Sequence, residues 1–169
     1  IAGVLVKGKQ SPTVDAQRWL SRFAWVTALT YIPLIAVGGA VTSTDSGLAV
    51  PDAVTSYGAI SVLFPLKLMA EPRIFLEHSH RLFGTLAGLT TIVLMIRVIT
   101  GEQRKIPKIL GVILFLAVSG QGYLGIIRVA EKSTAFAIIH GVFAQLVLAL
   151  ALVIAMVLSP RWINAELSD

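Results

Sequence analysis

Two histidines are the residues of this chain best suited to chemistry. His80 and His140 each lie within a long apolar segment of the kind that forms a membrane helix. Ionisable side chains are rare inside a bilayer and are functional candidates there. Two neutral imidazoles that converge inside an apolar helix bundle suit the two axial positions of a haem iron. The pair therefore predicts a haem-binding site; the alternative is a hydrogen-bonded structural role for each histidine.

An acidic residue lies beside the first histidine. Glu77 precedes His80 by three positions, which places both side chains on nearly the same face of a helix. A carboxylate at that position could transfer protons or steer a reacting group at the edge of a haem, and Glu77 is the candidate catalytic residue. The alternative is an interfacial glutamate that pairs with Arg81 or Arg73.

Two arginines and a glycine complete the candidate site. Arg81 and Arg128 are expected at the outer ends of the second and third helices, where a guanidinium can bind a haem propionate through two hydrogen bonds. Simple snorkelling of these side chains to the membrane surface is the alternative. Gly84 follows His80 by one helical turn and would make room for a flat macrocycle, although Gly84 and Gly88 are also spaced as a helix-packing motif.

The composition predicts the elements that must position these residues. The 169-residue chain is 56% hydrophobic and 14% charged, and its mean hydropathy is +0.82; a soluble domain has about a quarter charged residues. We therefore expect an all-α integral membrane four-helix bundle. Its helices are expected at about 19–44, 74–99, 107–128 and 134–159, with an N-terminal arm at 1–18 and a tail at 163–169.

The second helix is the most unusual of the four. Its uncharged stretch, residues 82–96, is shorter than the roughly 20 residues that cross the hydrocarbon core. The helix must therefore include part of 74–81, which brings Glu77, His80 and Arg81 into its outer end. A purely structural helix would have no reason to carry these groups.

The distribution of Lys and Arg predicts the orientation. These residues are concentrated in the N-terminal segment and between the second and third helices, so both termini are expected in the cytoplasm or its equivalent. Each half then consists of an outward helix, an outer loop and an inward helix with a histidine near its outer end. At about 1.5 Å per residue, both histidines lie about 9 Å below the outer ends of their helices. The two hairpins are therefore expected to be related by a pseudo-twofold axis.

Several functional classes are excluded by residues the chain lacks. The absence of cysteine excludes disulfides, thiolate metal sites and covalently attached haem. No phosphate-binding loop, Ser-His-Asp order or aromatic-basic stripe for nucleic acid is present. The net charge of +5 reflects the basic cytoplasmic segments, so lipid rather than nucleic acid is the expected surroundings.

Three ordered motifs resemble the haem A synthase family. Residues 38–52 read GGAVTSTDSGLAVPD and are followed by Ser56-Tyr57-Gly58. The segment Glu77-His78-Ser79-His80-Arg81 is similar to the family's Glu-x-x-His-Arg signature, and Ile139-His140-Gly141 to its second histidine. The resemblance extends from about residue 20 to 158.

The resemblance implies an activity and a set of partners. Family members oxidise a methyl group of haem O to a formyl group, which gives haem A for respiratory terminal oxidases. By this resemblance His80 and His140 are axial ligands of a haem of b, o or a type, Glu77 is the acidic residue associated with the reaction, and residues 47–52 shape the outer mouth. A separate protein donates electrons. The implied location is a prokaryotic plasma membrane or the mitochondrial inner membrane, with the haem towards the outer side.

The chain also departs from the family pattern. Family members have eight helices in two similar halves, whereas this chain has one half, so we expect a homo-oligomer or association with a second half or with respiratory-complex subunits. Thr42, Asp45, Val50 and Ala53 replace the family's Arg, Gly, Cys and Trp. The alternatives are a non-catalytic b-type haem-bearing subunit and a structural transmembrane module without haem.

Overall fold

The computed structural model of the chain describes residues 14–50, 52, 55–56, 58, 60, 63 and 66–166. Within these residues the protein is helical and contains no strand. The helices are α1 (Val14–Ser43), α2 (Pro72–Gly101), α3 (Lys105–Glu131), α4 (Thr134–Val157) and the short α5 (Pro160–Glu166), and a 3₁₀ turn (Leu66–Ala70) precedes α2. The prediction of an all-α four-helix bundle is confirmed.

The first four helices are long and apolar enough to cross a membrane. Many large apolar side chains point outward from them; Leu116 and Leu146, for example, are each 61% exposed. In water, these exposed apolar faces would be unfavourable because no burial would compensate for their hydration, whereas lipid solvates them. At the end opposite the α1–α2 and α3–α4 connections, the guanidinium of Arg97 lies 5.2 Å from the ring centroid of Trp19. This arrangement places an aromatic ring and a cation at one boundary of the bundle, as is typical of membrane interfaces.

The four long helices form a closed ring in which each packs against its two neighbours in the sequence of the chain, and α4 packs against α1. The helices α2 and α4 are therefore diagonally opposite. A core of small and aliphatic residues fills the half of the bundle opposite the α1–α2 and α3–α4 connections and includes Ala28, Leu94, Leu114 and Ile154. There the Tyr31 hydroxyl of α1 and the Thr91 hydroxyl of α2 are hydrogen-bonded at 2.6 Å.

Local sequence signals determine where the helices begin. The side chain of Glu71 caps α2 by accepting a hydrogen bond of 2.7 Å from the Ile74 backbone N–H. Pro72 occupies the first helical position, where its missing N–H has no consequence. Ser133 caps α4 in the same way, through the backbone N–H of Phe136.

The end of α1 is closed by a residue in the left-handed conformation. Asp45 has a φ of 52°, and the following Ser46 N–H donates to the Val41 carbonyl at 2.9 Å. This 6→1 bond is the pattern of a Schellman cap, which usually has glycine at the left-handed position. Aspartate tolerates that conformation better than most residues, so the chain makes the turn without a glycine.

The turn between α2 and α3 is built around one carboxylate. Glu102 accepts hydrogen bonds from the backbone N–H groups of Gln103 and Arg104 and a 2.9 Å bond from the Arg104 guanidinium. Burial favours the neutral acid, but the bonds from Arg104 outweigh it and hold the pKa of Glu102 below its ordinary value. The ionised carboxylate therefore fixes this turn.

The helix bounds differ from the expected ones mainly at the N-terminus. The helix α1 begins at Val14, within the segment expected as an arm, because its first turns pack: Leu20 is only 7% exposed and belongs to the core. The helix α5 covers residues on both sides of the expected start of the tail at 163. The remainder of the expected arm, 1–13, and the end of the tail, 167–169, lie outside the described residues.

Candidate functional site

A cavity of about 770 Å³ occupies the half of the bundle nearest the α1–α2 and α3–α4 connections. All four long helices line it, and its volume falls within the roughly 300–1,000 Å³ of small-molecule and cofactor sites. Of the residues predicted for the site, Glu77, His80, Arg81, Gly84, Arg128 and His140 all line this cavity. The structure therefore brings together the six residues that the sequence analysis singled out.

The two histidines face each other across the cavity. Their ring centroids are 6.4 Å apart, and the ring planes make an angle of 81°. Because α2 and α4 are diagonal in the bundle, no helix separates the two imidazoles. The positions at similar depth that the sequence predicts for His80 and His140 thus correspond to a direct ring-to-ring approach.

This separation suits one metal ion between the two rings. A metal–imidazole nitrogen bond is about 2 Å. With ring bonds of about 1.33 Å, the centre of an imidazole lies about 1.1 Å from each ring atom. Two such bonds and two such radii together span about 6.2 Å, against the 6.4 Å between centroids. The separation of the ring centroids is therefore that of two imidazoles on opposite sides of one ion.

The backbone of α1 holds the ring of His80. Its Nδ1 lies 3.2 Å from the Leu34 carbonyl oxygen. Gly38, one turn further along α1, lies beside the ring: a Cβ at this position would be 2.8 Å from His80 Cε1, closer than side chains tolerate. The close approach of His80 to α1 therefore requires glycine at position 38.

The ring of His140 packs against α3 in a similar way. A Cβ at Gly125 would lie 3.3 Å from His140 Cε1. The backbone of Gln121, one turn before Gly125, is a hydrogen-bond partner of the ring, as the backbone of Leu34 is for His80. Gln121 also donates from its Nε2 to the backbone carbonyl of His140 at 2.8 Å, so this residue contacts both the ring and the backbone of His140.

Glycines give the cavity its open walls. Gly39, Gly84, Gly122 and Gly141 line it, one from each long helix. A Cβ at Gly39, Gly122 or Gly141 would have no atom within 4 Å, and one at Gly84 would meet only Leu34 Cδ1 at 3.9 Å. Side chains at these positions would therefore meet open space; Gly39, Gly122 and Gly141 are also exposed at the surface of the bundle. The residues of the chain leave room for a bulky group between the histidines.

Glu77 and Arg81 connect the loop between α1 and α2 to α2 itself. The Arg81 guanidinium donates to Glu77 Oε1 at 2.7 Å and to the Thr55 carbonyl at 2.6 Å. The other carboxylate oxygen, Oε2, accepts from the Val50 backbone N–H at 2.7 Å. The Glu77 side chain is only 4% exposed. The structure thus contains the Glu77–Arg81 pair that was one of the alternatives, and this pair holds two points of the loop.

Of the two arginines that line the cavity, Arg128 makes fewer hydrogen bonds than Arg81. Its guanidinium makes one long contact of 3.4 Å with the Thr42 hydroxyl and pairs with no carboxylate among the described residues. It lies against Gly47, where a Cβ would be 2.6 Å from Nη2. The guanidinium of Arg128 therefore lies at the cavity beside the backbone of Gly47. Most of its N–H groups make no hydrogen bond to a described residue.

The loop above the cavity is organised by Asp52. Its Oδ2 accepts from the Gly58 backbone N–H at 2.7 Å and from the Thr55 hydroxyl at 2.9 Å. These two hydrogen bonds, that from Gly58 first, hold the pKa of Asp52 below its ordinary value of 3.8. Thr55 links this turn to Arg81, so Asp52 belongs to the same network as the Glu77–Arg81 pair.

The residue types of the chain do not reveal the backbone groups that position the site. The Leu34 carbonyl and the Val50 N–H belong to ordinary apolar residues, and Gly38 and Gly125 are recognisable as contacts of the histidine rings only in the structure. The available signal was the spacing: glycine follows Leu34 by four in α1, and Gly125 follows Gln121 by four in α3.

Comparison with models of known protein families, with curated proteins and with solved structures found no match to this chain.

Proposed function

We propose that this protein is a haem-binding membrane protein of the haem A synthase type, which holds a haem between His80 and His140 and oxidises a methyl group of haem O. The observation that carries the proposal is the 6.4 Å separation of the two ring centroids. It matches the span of two imidazoles on one metal ion, across a cavity that no side chain fills.

The residues around the cavity suit the rest of a haem. The glycines that line the four walls of the cavity leave space for a macrocycle. Arg128 offers free donors for an anionic propionate at the mouth of the cavity. Arg81 is engaged by Glu77 and Thr55 and would contribute mainly charge.

The proposed reaction consumes dioxygen and reducing equivalents. Each of two successive hydroxylations breaks a methyl C–H bond and inserts one oxygen atom, while the second oxygen atom leaves as water with two protons and two electrons from a donor protein. The resulting hydrate loses water to give the aldehyde. The protein's own contribution is position and electrostatics: the histidines fix the haem, and Glu77 is the one carboxylate among the residues lining the cavity.

The proposal is tested by the haem that the protein produces. We would express the chain in cells that make haem O but no haem A, extract the pigments and determine their masses. Haem A is expected with the wild-type chain, and none with the His80→Ala, His140→Ala double variant. Bound haem O without any haem A would refute the catalytic proposal, and protein without a Soret band would refute haem binding as well.

A second candidate is favoured by the contacts of Glu77. Because both carboxylate oxygens hold structural hydrogen bonds, the residue acts as a clamp on the loop, as it would in a non-catalytic b-type haem subunit of a respiratory complex. Glu77→Gln separates the two functions. An enzyme loses haem A formation with bound haem retained, whereas a relay subunit keeps its spectrum and its co-purifying partners.

A further inference from the structure

We propose that the cavity opens sideways to lipid between α1 and α4, and that this opening holds the apolar tail of the bound haem, with Gln145 as the polar contact at the base of the tail. The inference rests on the proposed function and adds the place where the tail leaves the bundle. Haem O carries an isoprenoid chain with a hydroxyl group at its base, whereas haem B carries a vinyl group at the same position.

Gly39 and Gly141 lie on the flanks of α1 and α4 that face each other. Leu34 contacts α2 through its backbone and its side chain, and Gly39 lies five residues later, about 140° around the helix. Phe143 lies beside Gly120 of α3, and Gly141 comes two residues before it, about 160° around the helix. Because each long helix packs against two neighbours in the ring, both glycines lie on the α1–α4 side.

The faces of α1 and α4 that carry these glycines are closed deeper in the bundle and open at the cavity. Ala28 precedes Gly39 by eleven residues and Ala155 follows Gly141 by fourteen, so each alanine lies on nearly the same face as its glycine. Both alanines are fully buried. Gly39 and Gly141 are instead exposed and line the cavity, and a Cβ at either would have no atom within 4 Å. The cavity therefore reaches the surface of the bundle between α1 and α4.

The corresponding positions in the other half of the bundle carry side chains. The glycine beside each histidine ring is followed by Gly39 in α1 but by Ile126 in α3. Likewise the histidine of α4 is followed by Gly141, whereas the histidine of α2 is followed by Arg81. All four residues line the cavity. The cavity wall beside the histidines thus has two side chains at one pair of positions and none at the equivalent pair between α1 and α4.

Gln145 places an amide at the rim of this opening, deep in the membrane. It follows the first residue of α4 by eleven positions, about 16 Å along the axis, which is close to the middle of a hydrocarbon core about 30 Å thick. Gln145 lines the cavity, is exposed and makes no hydrogen bond to a described residue.

The surroundings of Gln145 favour a ligand that is both polar and apolar. The next residue, Leu146, is 61% exposed, so the surface at the rim faces lipid. An amide in contact with hydrocarbon alone lacks hydrogen-bond partners, which is costly. A hydroxyl group at the base of an isoprenoid tail can donate to the amide oxygen of Gln145, while the tail itself continues into the lipid.

The test compares the affinities of the protein for haem O and haem B in detergent micelles. Gly39→Leu and Gly141→Leu each fill the opening, and we expect them to weaken haem O binding by about tenfold or more. Haem B has no tail to place there, so its affinity should change by less than about threefold. Retained haem B binding also shows that each variant is folded.

Two matched variants locate the effect. Gly88→Leu, outside the cavity lining, should bind both haems normally. Gly122→Leu lines the cavity on α3, where a Cβ also has no atom within 4 Å, and should not discriminate between the two haems. If Gly122→Leu alone discriminates, the tail leaves between α2 and α3 and the proposal is wrong.

The contact with the hydroxyl group is tested separately. Gln145→Leu should weaken haem O binding by about 2- to 10-fold, as expected for one lost hydrogen bond, and leave haem B binding unchanged. Equal effects on both haems would contradict the role of Gln145. Normal haem O binding by Gly39→Leu and Gly141→Leu would overturn the α1–α4 opening as the site of the tail. A wild-type protein that binds neither haem refutes the proposed function instead, which is a distinct result.

Discussion

Individual residues in this bundle differ in how completely their hydrogen bonds are satisfied. The Thr91 hydroxyl bonds both to Tyr31, at 2.6 Å, and to the Ala87 carbonyl of its own helix, at 2.7 Å. The guanidinium of Arg128 makes only one long contact, with the Thr42 hydroxyl at 3.4 Å. The Tyr31–Thr91 pair therefore serves stability, while Arg128 at the cavity keeps donors available for another molecule.

The Tyr31–Thr91 pair gives a prediction at this scale. Tyr31→Phe removes one interhelical hydrogen bond but leaves Thr91 bonded to Ala87, so we expect a loss of only about 0.6–1 kcal/mol in the free energy of unfolding. Thr91→Val leaves the buried Tyr31 hydroxyl unpaired and should be more destabilising, by about 1–3 kcal/mol. Unfolding of the two variants in lipid bicelles checks the order. A Tyr31→Phe variant less stable than Thr91→Val would show that the hydroxyls are held differently.

At the scale of elements, the loop between α1 and α2 is held to the bundle by a few polar side chains. Glu77 and Arg81 extend from the first turns of α2 and bind Val50 and Thr55, and Asp52 ties Thr55 to Gly58. The described part of the loop is therefore fastened by charge-assisted hydrogen bonds.

Loss of the Glu77 charge should loosen this loop. In Glu77→Gln the Arg81 guanidinium loses its ion pair while largely buried, which is costly. We expect amide hydrogen exchange at Val50 to accelerate at least tenfold, while exchange in α3 stays unchanged. Arg73→Gln is the matched control, since Arg73 is exposed and makes no ion pair in the described structure. Unchanged exchange at Val50 would show that the loop is held by other contacts.

The turn at Asp52 should depend on pH. Its folded pKa lies below the ordinary value of 3.8, so the ionised carboxylate stabilises the turn fully above that value, and the stabilisation disappears as the pH falls through the lowered pKa. Protection of the Gly58 amide should therefore be constant near neutrality and decrease in acid. Asp52→Asn should show weak protection at every pH. A wild-type profile that is flat down to pH 2 would contradict this account.

For the whole molecule, the main feature is that the ring of four helices is unfilled in the half nearest the α1–α2 and α3–α4 connections. The core packs tightly around Leu94 and Ile154, while the cavity lies between the helices nearer the loops. A group bound by both histidines would join two diagonal helices that otherwise have few contacts with each other. A ligand that binds only the folded state also stabilises it, by about 4 kcal/mol at a concentration 1,000 times its dissociation constant.

A large side chain placed on one wall of the cavity should lower haemin affinity without lowering the stability of the apoprotein. Gly84→Leu places a side chain where a Cβ meets only Leu34 at 3.9 Å, so the apoprotein should keep its thermal stability. Haemin binding should fall at least tenfold because the leucine takes space from the ligand. Gly88→Leu, on the same helix but outside the cavity lining, should bind normally. Normal binding by Gly84→Leu would place the ligand elsewhere.

The sequence predicts much of this arrangement because its signals are local. Apolar length defines the four helices, and the position of each histidine relative to its helix start defines depth. The contacts of Glu77 with Val50 and of Arg81 with Thr55 could not be predicted, since each pair is more than twenty residues apart and Val50 and Thr55 have no distinctive side chains. The support of His80 by a backbone carbonyl was equally hidden, because every residue has a carbonyl and only the packing of α1 on α2 shows which one is used.

The glycine walls have one consequence for recognition. A pocket bounded by flexible side chains must freeze their rotamers around each ligand and can adjust them to different shapes. Glycine has no rotamers, so the backbone surfaces at Gly39, Gly122 and Gly141 present a fixed outline with little conformational entropy to lose. Such a pocket discriminates by size and shape: it cannot collapse onto a smaller guest, and it rejects a larger one.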